Sequence, residues 1–424
     1  MALTLFGTLF VMLLLNIPIS ISLGIAVLMG LLTGDSMTSY VIIAQRMFTS
    51  IDNFPFMAVP FFILAGELME RGGISVRLIR FAKVILGRLP ASLAIITTAA
   101  SAFFGAISGS NPATVAAIGG LMHPAMVKAG YPKAEAAAIA AASGTLGVII
   151  PPSISMVTYG IVASVSIGTL FIAGIIPGLL LALGIIITSI LTCRRYEKKE
   201  ETKSESAFLV LKDAIWALLM PVIILGGIYG GVFTPTEAAS VACIYAFIVS
   251  KYIYKDLQYS ELRAIFAKAA TSTAIILFIV TLSAPFSWLM TSGGIPTMLA
   301  EKMLGLFQNK YIILLMINLI LLFLGCFLET QSIILLMTPM LLPLANALGI
   351  PPIALGIIMV VNTSIGMITP PMAVNLFVAS GIARISIEEI SKKIIPFLLV
   401  EAAILLLITY IPEIIMWLPN ILGK

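Results

Sequence analysis

SGTLGVIIPPS, residues 143–153, and NTSIGMITPPM, residues 362–372, are one motif written twice. In each, a helix-forming run meets a glycine and then two adjacent prolines, which donate no backbone hydrogen bond and stop the helix. Gly147 aligns with Gly366, and Pro151-Pro152 with Pro370-Pro371, at an offset of 219. The same offset carries HPAMVKAGYP (123–132) onto LPLANALGIP (342–351) and Pro177 onto Pro396. Upstream, ELMERGGI (67–74) matches WLMTSGGI (288–295) at 221, and Pro18 matches Pro235 at 217. The chain therefore reads as two copies of one unit, 1–192 and 214–424, joined by a polar linker at 193–213.

Composition says which solvent the units occupy. Of 424 residues, 60% are hydrophobic and 10% charged, where a soluble domain carries about 25% charged. So few charges cannot cover a soluble surface, so the chain is an all-α polytopic membrane protein. A cytosolic enzyme, a secreted disulfide scaffold and a disordered chain are excluded. Cys193, Cys243 and Cys326 are isolated, which speaks against a disulfide framework or a CxxC metal site. His123 is the single histidine, which argues against a metal centre built on imidazole. The net charge of +5 includes no basic run long enough for nucleic acid. The N-terminus, MALTLFGTLFVMLLLN, lacks a basic leader and a cleavage site and reads as a retained membrane segment.

Apolar stretches of membrane length recur at 54–70, 91–108, 111–127, 133–150, 169–192, 214–233, 235–254, 270–290, 311–328, 331–348 and 394–418. Residues 1–33 fit one tilted helix or two short ones meeting at Asn16-Ile17-Pro18. Between the stretches lie basic segments at 71–88, 128–133, 194–212, 251–268 and 384–393, which hold most of the 24 lysines and arginines. The positive-inside rule places all five in the cytoplasm. Segments 71–88 and 128–133 share a side only if 91–127 enters and leaves there, as a re-entrant hairpin. By the same parity 311–348 is a second hairpin, entered from the opposite face. The broken helices span about 133–166 and 352–383. Two halves of opposite orientation form an inverted repeat, an architecture of secondary transporters.

Each half thus has two interruptions near mid-membrane: a hairpin tip, ISGSNPAT (107–114) or LETQS (328–332), and the Gly/Pro-Pro break. Open backbone at that depth is tolerated where it lines a polar cavity. Freed carbonyls and Ser, Thr and Asn oxygens suit sodium, and the positive ends of half-helices suit an anionic substrate group. Ser108, Ser110 and Asn111 with the 144–147 backbone, Gly144 and Gly147 included, are expected to make one cation site. Thr330, Ser332, Asn362 and Ser364, with the backbone at Gly366, are expected to make its partner. Glu329, at the second tip, can ligate a cation, take part in proton coupling or cap the following helix. Thr234 and Glu237 have the spacing of a capping box. His123 reads as structural, Arg46 as a snorkelling side chain, and 75–88 as an amphipathic arm on the cytoplasmic surface or an ordinary interfacial loop.

FFGAISGSNPATVAAIGGLMHPAM (103–126), AAASGTLGVIIPPS (140–153), GIIPG (174–178) and GGVFTPTEAASVACIYA (230–246) resemble the large membrane subunit of tripartite ATP-independent periplasmic (TRAP) transporters, the DctM type. The resemblance covers nearly the whole chain. It implies a bacterial inner-membrane secondary transporter that imports an organic acid with a sodium gradient. It also implies two partners, a small four-helix membrane subunit and a soluble periplasmic binding protein. Since the chain begins at large-subunit sequence, the small subunit is expected as a separate polypeptide. The fold implied is an elevator, with hairpins and broken helices moving against a scaffold. The anion is then expected between the tips, against Ser110, Asn111, Pro112, Thr145, Glu329, Thr330 and Thr363. Sodium is expected as the coupling ion and no cofactor is expected, and the absence of an ATP-binding loop leaves sodium and the membrane potential as the expected energy sources. Rival readings are a stand-alone sodium–carboxylate symporter and a non-transport membrane subunit. C4-dicarboxylates, sialic acids, other sugar acids and keto acids all remain open as substrates.

Overall fold

The computed structural model describes residues 2–15, 17–33, 40–194, 196, 206–307 and 309–423, and all regular structure among them is helical. Among the described residues six helices are long and apolar enough to cross a membrane. A bent pair, Tyr40–Ile51 and Phe54–Arg71, makes a seventh candidate, with a 58° change of direction. Three shorter apolar helices, Ser92–Ser108, Lys310–Gly325 and Pro352–Gly366, end at the interruptions that the sequence places at mid-membrane, and a fourth, Val374–Ala383, begins just after one.

The two halves pass through the same order of elements. Ala2–Leu14 and Ile19–Thr33 open the first, and Ala207–Tyr229 and Pro235–Ile248 open the second. The bent pair ending at Arg71 corresponds to Tyr259–Ser292, and each leads into a Gly-Gly-Ile turn. Gly73 and Gly294, at φ 72° and 64°, take the left-handed backbone that favours glycine. An arm helix follows in each half, Ile74–Leu86 and Ile295–Leu306. Then come a hairpin, a broken helix and a closing helix, Ile167–Cys193 or Ile387–Tyr410.

Local chemistry explains the breaks. Ser92–Ser108 stops at Gly109, which is left-handed at φ 59°, and a methyl group there would sit 3.1 Å from Ile154 N. Ser110 is extended and Pro112 lies in the first turn of the returning helix, where its missing N–H costs nothing. That helix widens into a π turn over Val115–Gly119 before continuing to Lys128. In the first broken helix, Lys133–Gly144 tightens to a 3-10 turn at Thr145–Gly147 and resumes at Ile154. The Ser153 hydroxyl accepts the Met156 N–H and caps the restart. Pro151-Pro152 and Pro370-Pro371 are both cis.

The structure decides one alternative the sequence leaves open and shifts three element boundaries. The N-terminal region is two helices, split before Pro18, of 13 and 15 residues. Helix Ala207–Tyr229 starts inside the expected linker, because AFLVLKDAIW continues the apolar pattern once Ser206 breaks the polar run. The 270–290 stretch is part of a 34-residue helix whose polar first turns carry it beyond the apolar core. The 394–418 stretch breaks at Ile411-Pro412, where proline removes a donor and a second helix, Glu413–Ile421, begins.

Close backbone packing joins hairpin to broken helix in both halves. A methyl at Gly105 would meet Gly147 Cα at 2.9 Å, and one at Gly325 would meet Gly366 Cα at 2.8 Å. These repeat-related glycine pairs seat each hairpin's first helix against the break it faces. Tyr159, fully buried, donates to Pro352 O at 2.6 Å, tying the end of one broken helix to the start of the other.

Candidate functional site

Asn111 stands at the centre of the crossing. Its Oδ1 accepts the Val148 N–H at 2.9 Å, a donor released where the 3-10 turn ends. Its Nδ2 donates to Ser364 Oγ at 2.7 Å, and Ser364 Oγ donates to Thr145 O at 2.7 Å. Thr145 and Ser364 are themselves 219 residues apart, so two repeat-equivalent positions bond to each other. Asn111, Thr145 and Ser364 are all fully buried. A buried bond of this kind contributes roughly 1 kcal/mol net, while an orphaned partner costs about 1–3 kcal/mol.

The second tip makes a matching crossing. Gln331 Nε2 donates to Ser155 Oγ at 3.2 Å in the restarted first broken helix. Each tip therefore reaches the other repeat's broken helix, Asn111 to Ser364 and Gln331 to Ser155. Thr330 faces Met367 Sδ at 3.5 Å, on the same turn as Gly366. Ser332 is buried beside it in the chain.

Around the first tip, oxygens converge. Ser108 Oγ and Thr114 Oγ1 are 3.1 Å apart, and Thr114 Oγ1 donates to Ser110 O at 2.7 Å. Gly147 lies against this group, and a methyl there would sit 2.5 Å from Ser110 O and 2.7 Å from Thr114 Oγ1. Gly144 backs onto the π turn through Val115 and lies near Asn375 Nδ2. Of the expected first cation site, then, Ser108, Ser110, Asn111, Gly144 and Gly147 are brought together, and Thr114 joins them.

The expected second site separates. Asn362 points to the opposite face of its helix and donates to Asn318 O at 2.9 Å and Asn318 Oδ1 at 2.8 Å. Asn318 in turn donates to Thr409 at 3.1 Å in the closing helix. Ser364 faces the first tip instead, which leaves Thr330, Ser332 and Gly366 together at the second. The expected anion contacts divide as well. Ser110 and Pro112 are partly exposed and Glu329 is exposed, whereas Asn111, Thr145, Thr330 and Thr363 are buried. Thr363 bonds back to Met359 O within its own helix.

Two groups have no counterpart in the sequence reading's site. Gln331 lies in the second tip, but nothing in its local sequence points to the bond it makes with Ser155. Glu401, in the middle of the closing helix Ile387–Tyr410, is fully buried beside Thr145, and neither carboxylate oxygen has a hydrogen bond of ordinary length. Buried acceptors without a donor also include Gln331 Oε1, Asn362 Oδ1 and Asn375 Oδ1. Those of Gln331 and Asn375 lie beside the breaks and are of the kind a hard cation takes as ligands. Among the described residues no group of three or more His, Cys, Asp or Glu could hold a transition metal.

The remaining residues singled out from the sequence are structural. Thr234 and Glu237 form the expected capping box. His123 Nε2 meets Lys133 O at 3.2 Å and joins the end of the hairpin to the next helix. Arg46 lies 5.8 Å from the Trp288 ring centre, a cation–π contact. Arg77, on the first arm, is clasped by Asp213 at 3.2 Å and Asp256 at 2.6 Å and stacks 3.7 Å from the Tyr254 ring. Its burial opposes the charge, but Asp256 and then Asp213 outweigh that and raise its pKa.

Comparison with known proteins gives one family. A family model described as "Tripartite ATP-independent periplasmic transporter, DctM component" matches residues 6–414. The isethionate TRAP transporter permease protein DctMQ of Oleidesulfovibrio alaskensis is 46% identical over 97% of this chain, which spans 65% of that relative's length. The C4-dicarboxylate TRAP transporter large permease protein DctM of Rhodobacter capsulatus is 42% identical over 100% of this chain and 99% of the relative. The sialic acid TRAP transporter large permease protein SiaM of Vibrio cholerae is 37% identical over 96% and 95% of the two. Among solved structures, the YdaH transporter of Alcanivorax borkumensis superposes with a TM-score of 0.64 at 16% identity, covering 88% of this chain and 89% of that one. MtrF of Neisseria gonorrhoeae superposes at 0.61 with 14% identity, over 92% and 93%. These two likenesses concern the fold. The sequence matches run from end to end at up to 46% identity, and on them this chain belongs to the DctM family of TRAP transporters, as a large permease subunit of the bacterial inner membrane.

Proposed function

We propose that this chain carries a small organic anion inward together with sodium, receiving it from a periplasmic binding protein and working beside a small membrane subunit. The observation that supports this reading best is the double crossing at mid-chain, Asn111 to Ser364 and Gln331 to Ser155. It couples each tip to the opposite repeat, so ions that order one tip also order the other's support. Ser108, Ser110, Thr114 and the 144–147 backbone offer the oxygens of one sodium site. Thr330, Ser332 and the backbone at Gly366 offer those of the second, and Asn362 steadies that helix from behind through Asn318.

No lysine or arginine lies in either tip. The anion's charge would be met instead by sodium and by the helix N-termini at Asn111 and Thr330. Named substrates of the relatives include isethionate, a sulfonate, alongside C4-dicarboxylates and sialic acid. Their common feature is an acid group, so the substrate class is extended here from carboxylates to carboxylates and sulfonates. In the elevator reading, the hairpins and broken helices move as a body while the arms stay with the frame. Arg77, fixed to Asp213 and Asp256, supports a frame-bound arm.

Sodium should raise the melting temperature of the purified chain, and potassium or choline should not. At a concentration ten times its Kd the gain is about 1.4 kcal/mol per site. Ser108→Ala combined with Thr114→Val should shift the sodium midpoint at least tenfold upward. A sodium response identical in the variant would remove the first tip from the cation site.

A further inference from the structure

The ends of three helices enclose a cavity of about 440 Å³ that no part of the transport reading uses. They are the start of Lys133–Gly144, the C-terminus of Ile167–Cys193 and the first turns of Ile387–Tyr410. Its walls include Glu135, Arg194, Tyr196, Lys392 and Lys393. All three ends belong to basic segments that the charge asymmetry assigns to the cytoplasm.

Among the described residues the charges of the cavity do not balance. Glu135 is 4% exposed, and both its oxygens are engaged: Oε2 with Lys393 Nζ at 3.3 Å and Oε1 with the Cys193 thiol at 3.8 Å. That neutralises Lys393. Arg194 and Lys392 have no carboxylate within ion-pair distance among the described residues, and Glu388, one helical turn before Lys392, hydrogen-bonds Ser386 instead. Among the described residues, two positive charges therefore face the cavity without an acid.

The cavity also has an apolar wall that continues into the bilayer. Leu191 lines it and is 70% exposed. From Leu191 an exposed track runs one helical turn at a time through Ile187, Leu183 and Leu179. On the closing helix a second track starts at Ile395, between the cavity residues Lys392 and Pro396, and continues through Leu399 to Leu407. The two helices meet where Gly184 faces Val400 and Ile404. A basic recess at the cytoplasmic rim above acyl-length apolar tracks matches a lipid with an anionic head and two chains. A free phosphate would use the recess and leave the tracks without a purpose.

We propose that this recess binds the headgroup of an anionic glycerophospholipid of the phosphatidylglycerol type, through Arg194 and Lys392, with an acyl chain along the Leu191 track. The test is thermal unfolding of the full chain in mixed micelles, titrated with phosphatidylglycerol, phosphatidylcholine, sn-glycerol 3-phosphate or inorganic phosphate. Phosphatidylglycerol should stabilise wild type at concentrations where phosphatidylcholine and the two soluble phosphates do not. Arg194→Gln and Lys392→Gln should each weaken the phosphatidylglycerol midpoint about fivefold, and the double variant roughly 30-fold. Lys128→Gln, a cytoplasmic basic residue outside the recess, should leave it unchanged. The single variants keep the test decisive if the double one fails to fold. An unchanged midpoint in both single variants overturns the site, and equal stabilisation by the soluble phosphates overturns the lipid.

Discussion

Gly147 shows how closely the site is built at the scale of one residue. Any Cβ there meets the Ser110 carbonyl and the Thr114 hydroxyl, and a well-packed break cannot yield without moving the tip. Gly147→Ala should cost about 1–3 kcal/mol of stability and abolish sodium stabilisation, both read from melting curves with and without sodium. Glu401 poses the opposite case, a side chain held in the core beside Thr145 with neither carboxylate oxygen in a hydrogen bond of ordinary length. A carboxylate in that setting is costly unless a proton or cation accompanies it. Glu401→Gln preserves shape and removes that requirement. It should fold with a melting temperature at or above wild type and lose uptake at least tenfold, and wild-type uptake would reduce Glu401 to packing. The legibility of these residues differs for a physical reason. Ser108, Ser110 and Asn111 stand out as polar groups beside Gly and Pro. Glu401 stands out equally in FLLVEAAILLL, but whether it faces lipid, frame or core depends on the rotation of its helix, which only packing against Lys133–Gly144 and Pro352–Gly366 decides. Asn362 and Ser364 illustrate the same limit, since two positions apart on one helix they point to opposite partners.

Elements were legible where glycine and proline punctuate them. The Gly-Gly-Ile turns, both tips and both Pro-Pro breaks fold as their residues require, because each rests on local backbone chemistry. The second arm, Ile295–Leu306, has a weaker sequence signal, because it carries only Lys302 where the first carries Arg77, Arg80 and Lys83. The first arm is clasped to Asp213 and Asp256, which lie beyond the linker in the second half. Those carboxylates are partly exposed, so screening limits the clasp to about 1 kcal/mol. Arg77→Ala should therefore barely change the melting temperature or the sodium midpoint. On the elevator reading proposed above it should slow uptake severalfold, because a loosened arm would no longer hold a moving body against a fixed frame. An unaltered uptake rate would separate the arm from transport.

At the scale of the molecule, the offset of 219 and the placement of the basic segments together imply two halves of opposite orientation. The structure adds what neither could supply, that the halves interlock through Asn111–Ser364 and Gln331–Ser155 at their breaks. Long-range pairings of this kind have no local sequence signal, which is why the site's composition was readable and its wiring was not. The most direct measurement of the central claim is uptake into proteoliposomes holding this chain with its small membrane subunit. Labelled isethionate, C4-dicarboxylates and sialic acid would be offered under an inward sodium gradient, with and without periplasmic binding protein. The expected result is accumulation of one organic anion that requires both sodium and the binding protein. Accumulation that proceeds equally without sodium, or without the binding protein, would contradict it.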